Sequence, residues 1–444
     1  MKPIGLSLAF AAAFGLAGAG LPAQPAAPDT LDLKTAVGFA LENNFAIRQA
    51  RERIRAQEGV EITVRARQIP NVAAAGAYTG NSAAVSTYSP PDQDRAWSIS
   101  LQARQVLYAG GGVGAAVRSS GLVREAAVLE LQGVINTELL AVRTQFYTVL
   151  LDRERIRVEE ESVKLLAEQL KDAQSRFAAG TTSNFDVLRA EVALANGQPP
   201  LIQARNDYRV AIEQLRQLLG FTTATSGPDV GKVPEFVGTL EAGAPVTLQL
   251  ADALTGARER RPELQQLTRL AKAGEQNVAA TRAASLPEVD AVAGYTWMRG
   301  PFSTGWDTRH EGWTAGVQTS WNIFDGRATA GRVIQARSQL EQARLTLADA
   351  TLAVEVQVRQ AYSALTEAWE LAQASSKTVE QAQEALRLAN VRYGAGTATQ
   401  LDVLTSQVAL TEARLNQLQA YYGYSVAQAA MRQAMGQADE YVGL

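Results

Sequence analysis

Cysteine is absent from all 444 residues. Disulfides, thiolate metal sites, cysteine nucleophiles and a lipid-bearing N-terminal cysteine are therefore excluded. Histidine occurs once, as His310, which argues against a His-rich metal centre and a Ser-His-Asp triad. Excess charge is small, at −3, so nucleic acid is not an expected partner. No convergent set of acid, base and nucleophile stands out, so neither an enzyme nor a cofactor is expected. Beyond the N-terminal region, no apolar run approaches the ~18 residues that a membrane-spanning helix needs. Proline is missing between Pro91 and Pro199 and again after Pro301. These two spans are free to be long helices.

What is present begins with a leader. Lys2 precedes an apolar run from Ile4 to Leu21, followed by small residues around Ala17-Gly18-Ala19 and Ala23-Gln24. This reads as a secretory signal over 1–23. The competing reading is an N-terminal membrane anchor, which the Gly-broken apolar core disfavours.

The rest is written twice. "RFAAGTTSNFDVL" starts at Arg176 and "RYGAGTATQLDVL" at Arg392; from 176 to 220 the two copies share 18 of 45 positions without a gap. That density marks an internal duplication. Trp97/Trp313, Gln102/Gln318, Tyr108/Phe324 and Gly110/Gly326 keep the same offset of 216. The organisation is thus a first repeat over 24–220, a connector over 221–245, a second repeat over 246–436 and a tail over 437–444. The connector, rich in Gly, Pro and Thr, reads as loop with short extended pieces.

In each repeat the pattern predicts an opening helix (33–68 and 247–285), two strands, a long helix (111–179 and 327–395) and a return helix (184–219 and 400–436). Val333, Ala336, Leu340, Ala343, Leu347, Ala350 and Val354 alternate steps of three and four, the seam of a left-handed coiled coil. Gly180 and Gly396 suit the left-handed position that ends a helix. Ser183-x-x-Asp186 and Thr399-x-x-Asp402 read as capping-box starts of the next helix. "NGQPP" at 196–200 breaks the repeat, and a kink or break is expected there, because an interior proline costs ~3 kcal/mol or more.

The strands are expected over 72–80, 96–108, 289–297 and 312–324. Trp97, Ile99 and Leu101 alternate with Ser98, Ser100 and Gln102. Segments of about ten residues with one apolar face and aromatic ends are the mark of an outer-membrane barrel. Four strands do not close a barrel, and unpaired edges are not tolerated in lipid. Several chains must then share one.

This order of elements, carried by "QVLYAGG" and "NIFDGR" at the strand-to-helix junctions and by the two tip motifs, resembles the outer membrane efflux protein family, the TolC type. The resemblance spans nearly the whole mature chain. It implies a mainly α fold with a membrane β-barrel portion, assembled as a homotrimer: a shared twelve-strand barrel in outer-membrane lipid and a twelve-helix periplasmic tunnel. It implies docking of a periplasmic adaptor at tips built by Ala179, Gly180, Thr181, Ala395, Gly396 and Thr397. An inner-membrane pump or secretion transporter would lie beneath. By resemblance Asp402 belongs to an acidic aperture ring, with Thr405 where well-known members carry a second acid. Asp186 and Tyr393 match a gate tether, while Ala398 stands where a basic residue can reinforce it. Three Asp402 carboxylates round a narrow throat would favour cations and raise one another's pKa. Each aspartate also has a plainer role as a first-turn cap.

Other motifs carry less. "YAGGGVG" (108–114) lacks the spacing of a phosphate loop. His310 is expected in an exposed polar loop with Asp307 and Glu311. "RERIR" (51–55) and "RERR" (258–261) read as solvated helix faces. A soluble periplasmic coiled-coil scaffold is the competing reading, and the Trp-bearing strands argue against it.

Overall fold

A computed structural model describes residues 30–80, 95–221, 234–299 and 310–441. The expected signal and Asp307 lie outside the described residues. The first repeat comprises β1 (Thr30–Leu31), α1 (Leu33–Asn43), α2 (Phe45–Arg65), β2 (Asn71–Gly80), β3 (Arg95–Ala109), α3 (Gly112–Ala178) and α4 (Asn184–Leu219). The second comprises β4 (Glu235–Phe236), α5 (Leu250–Arg260), α6 (Pro262–Ala283), β5 (Glu288–Met298), β6 (His310–Ser320), α7 (Ala328–Gly394) and α8 (Gln400–Ala434). Helices α3 and α7 each run 67 residues, about 100 Å at 1.5 Å per residue. Their starts differ by 216, as do those of α4 and α8, so the duplication holds at the level of elements.

Each expected opening helix is in fact two. Asn44 ends α1 and starts α2 from a non-helical backbone. Its carboxamide oxygen accepts from the Ile47 N–H at 3.1 Å, and its NH₂ donates to Leu218 O at 2.8 Å and Glu138 Oε2 at 2.9 Å. In the second repeat Pro262 occupies the first turn of α6 and holds Arg261 extended, as a residue before proline prefers. Arg261 is buried, so the "RERR" segment is not wholly a solvated face.

Helix α4 does not break at Pro199-Pro200; it is continuous from Asn184 to Leu219. The carbonyls that lose their donors belong to Ala195 and Asn196, both exposed, where water can satisfy them. Buried Val187 and Ala190 before the prolines, and Leu201 and Ala204 after them, anchor both arms of α4. A second departure is β6, which stops at Ser320. The chain then turns off, and the Trp321 indole donates to Ser285 O at 3.1 Å. His310 begins β6 and is not in a loop.

Strands β2, β3, β5 and β6 form one antiparallel sheet in that order. The register sets Tyr78 beside Trp97, Leu101 beside Tyr295, and Tyr295 beside Trp313. Partners opposite each other share a face, so one face is aromatic and aliphatic. The other carries Ser98, Ser100, Gln102 and Arg104 beside Met298, Thr296, Gly294 and Val292. On that polar face Arg104 pairs with Asp290 at 2.6 Å.

Helix α3 is the spine. Toward the sheet α2 and α6 pack on it; toward the far end α4 and α8 do, and α7 follows α6 and then α8. Midway, Leu31, Phe146, Leu215 and Phe236 close one core, and Val358, Tyr424 and Met431 another. The short parallel pair β1–β4 joins the start of the described chain to the connector. Arg153 fastens that connector by donating to Phe236 O at 2.7 Å and Gly238 O at 2.8 Å. Both return helices run into a glycine at positive φ, Gly220 and Gly436. A Cβ on Gly220 would collide with the Asn43 carbonyl, and one on Gly436 with the backbone of Arg260 and Arg261. Each glycine lets a return helix close on the break in its own opening helix.

Candidate functional site at the hairpin tips

The α3–α4 and α7–α8 turns are built alike. Gly180 (φ 72°) and Gly396 (φ 74°) take the left-handed conformation. Thr181 then donates twice to the Arg176 carbonyl, through N–H at 2.9 Å and Oγ1 at 3.0 Å. Thr397 does the same to Arg392, at 2.9 and 3.1 Å. These bonds satisfy carbonyls that a helix end leaves orphaned. They explain why Ala-Gly-Thr recurs. Ala179, Gly180, Thr181, Ala395, Gly396 and Thr397 are all exposed.

The next helix starts at once. Ser183 and Asp186 form a reciprocal capping box, as do Thr399 and Asp402. Asp186 Oδ2 also accepts from Thr182 Oγ1 at 2.7 Å, and Arg189 stands 4.0 Å from Oδ1. Thr182 and Ser183 donating to the Asp186 carboxylate hold its pKa below the usual range. Asp402 Oδ2 accepts from Thr399 N–H at 2.7 Å and Oγ1 at 2.8 Å. Those two bonds, the backbone one foremost, likewise depress its pKa. Within one chain, then, the cap opposes the upward shift expected of a carboxylate ring.

Asp402 and Thr405 both lie on the exposed face of α8, while Val403, Leu404 and Gln407 are buried. Tyr393 stands under Arg176, with the guanidinium 4.6 Å from the ring centre, a cation–π contact joining α7 to α3. Arg176 also pairs with Asp172 at 2.8 Å. Partial burial raises the Tyr393 pKa, Arg176 opposes this, and the Asp172 and Asp186 carboxylates add to it. The direct partner of the Tyr393 ring is Arg176. Sequence reasoning missed that contact: Arg176 was visible only as a shared motif letter.

At the other end of the long helices, Gly110 and Gly111 adopt positive φ. A Cβ on Gly110 would strike Leu286, and one on Gly112 would strike Ala283. The glycines of "YAGGGVG" therefore serve a turn and close helix approach. Among the described residues no acidic or histidine cluster is placed to hold a metal ion. None of the described helices is long and apolar enough to cross a membrane.

Comparison with known proteins agrees with the duplication. The model of the family described as "Outer membrane efflux protein" matches twice, over 37–221 and 253–437. Protein CyaE of Bordetella pertussis is 26% identical over 379 residues, covering 85% of this chain and 78% of that protein. Outer membrane protein TolC of Escherichia coli is 24% identical over 314 residues, covering 68% and 62%. The Campylobacter jejuni CmeC outer membrane channel superposes with a TM-score of 0.79 at 14% identity, covering 92% of this chain and 87% of that one. With both repeats matched from their opening helices past their terminal glycines, the chain belongs to the outer membrane efflux protein family.

Proposed function

We propose that three copies of this chain form one exit duct of a tripartite efflux or type I secretion system. The observation that carries the reading is a four-stranded sheet with one aromatic face and two outer edges, on β2 and β6, joined to helices of 67 residues. Lipid favours the aromatic face and forbids the open edges. Three sheets joined edge to edge supply a twelve-strand barrel with no edge left. The helices then line a tunnel roughly 100 Å long, enough to extend well beyond the bilayer. A soluble scaffold has no use for Tyr78, Trp313 and Val317, which stand exposed on the sheet.

The chain is a passive conduit of the outer membrane. A periplasmic adaptor grips the exposed tips, and an inner-membrane pump supplies energy. Asp402 from each copy rings the aperture, with Thr405 one turn above it. The closed state is held by Tyr393 through Arg176 and the neighbouring Asp186. Planar-bilayer recording on the purified protein tests this reading. It should form cation-selective channels, and Asp402→Ala should lower that selectivity. A protein that forms no channel contradicts the duct; unchanged selectivity in the variant contradicts the ring.

A further inference from the structure

The stripe of α3 that faces α4 changes character along its length. Positions 152, 159, 166 and 173 recur every seven residues and are all buried. At the tip end the stripe is apolar. Ala173 packs with Val187 and Ala190, and Leu166 lies so close to Gly197 that a Cβ there would meet its Cδ1 at 2.9 Å. Further from the tip the same stripe carries Asp152 and Glu159, 8% and 6% exposed. Continuing the antiparallel register brings them opposite the buried stretch of α4 that holds Ala204 and Ala211.

Burying two carboxylates beside an apolar seam is costly unless cations or donors compensate. Cations are present but committed. From α3, Arg155 is shared with Asp207 at 3.5 Å, Arg153 donates to the connector carbonyls and Glu154, and Arg157 lies beside Glu154 and Glu161. From α4, Arg205 pairs with Glu160, and Asp207 adds a further negative charge. From α8, Arg414 pairs with Glu161, while Tyr422 and Tyr421 bring only neutral hydroxyls to Thr148 and Gln417. Burial, then the Asp207 charge, push Asp152 up to about 6, and burial raises Glu159 as well.

The second repeat lacks all three acids. At the offset of 216, Asp152, Glu159 and Asp207 become Ala368, Ser375 and Gly423. The apolar end is kept, with Ala382 and Ala389 for Leu166 and Ala173. The two hairpins share a fold but not these acids.

We propose that the first hairpin carries an acid-responsive seam, in which protonation of Asp152 and Glu159 tightens α3 against α4 while the α7–α8 hairpin does not respond. A carboxylate whose folded pKa lies above its unfolded value weakens the fold only where it is ionised. The penalty is absent below the usual value of 3.8, grows as pH rises from there to about 6, and is complete above that. The first hairpin is therefore tighter at pH 5.5 than at pH 8. In an assembled duct this stiffens one of the two hairpin types in acid.

Hydrogen–deuterium exchange on the purified full-length chain in detergent tests this, with rates corrected for the intrinsic effect of pH. Protection over 149–160 and 201–211 should rise about fourfold from pH 8 to pH 5.5, the change in opening constant for a carboxyl near 6 that opens to 3.8. The equivalent stretches, 365–376 and 417–427, should change less than twofold. Asp152→Asn should be at least as protected at pH 8 as the wild type is at pH 5.5, and Glu159→Gln should flatten part of the response. Asp207→Asn, at a half-exposed site, removes the like charge and should move the midpoint to lower pH. That variant decides the matter if Asp152→Asn fails to fold. Equal responses in both hairpins, or a wild-type midpoint in Asp207→Asn, would overturn the proposal.

Discussion

Asp402 shows how one residue can serve two roles that separate experimentally. Its carboxylate accepts from Thr399, and an asparagine carbonyl can take the same bonds. Asp402→Asn should therefore lower the melting temperature less than Asp402→Ala does, since it keeps the acceptor but loses the charge, while both lower cation selectivity. The pH dependence has a definite sign. Depressed carboxylate pKa values, as at Asp186 and Asp402, contribute stability above the unfolded value of 3.8, lost as pH falls through the lower folded value. The tips should therefore stay capped in mild acid, where the Asp152 seam already responds. For the tether, Tyr393→Phe should raise channel open probability modestly, since the ring under Arg176 survives. Arg176→Ala should raise it more, and equal open probabilities in all three proteins would contradict the tether. The capping boxes were legible because their partners sit three residues apart. The Arg176–Tyr393 stack was not, because it joins side chains more than two hundred residues apart in sequence.

Among elements, the long helices and their turns were readable almost to the residue. Proline-free spans, left-handed glycines and S/T-x-x-D starts all act over a few residues, so tertiary packing does not override them. Three local signals misled or were passed over. Asn44 looks like any polar helix residue until its carboxamide meets Leu218 and Glu138. Pro262 marks a helix start that the Arg-rich segment before it disguised. Pro199-Pro200 reads as a break, yet buried residues on both arms keep α4 continuous. The strain should be measurable. Replacing both prolines by alanine restores two intrahelical donors, each absence being unfavourable by up to ~3 kcal/mol, and loosens the unfolded chain by ~1 kcal/mol or less per site. A melting temperature raised by several degrees is expected from thermal denaturation. An unchanged or lowered value would mean that α4 relies on the prolines.

At the scale of the whole molecule, strand count alone implied an assembly. The sheet order and the packing of α2, α6, α4 and α8 around α3 were not legible, because nothing in a single strand or stripe names its neighbour. What the fold adds is that both outer strands of the sheet, β2 and β6, are ten or more residues long, too long to leave unpaired in lipid. The central claim is that three chains share one barrel. Native mass spectrometry of the detergent-extracted protein tests it most directly, since one chain, 47.5 kDa with its leader, and three chains are far apart in mass. The account predicts a dominant species of three chains; a protein that leaves the micelle as a single chain would contradict it.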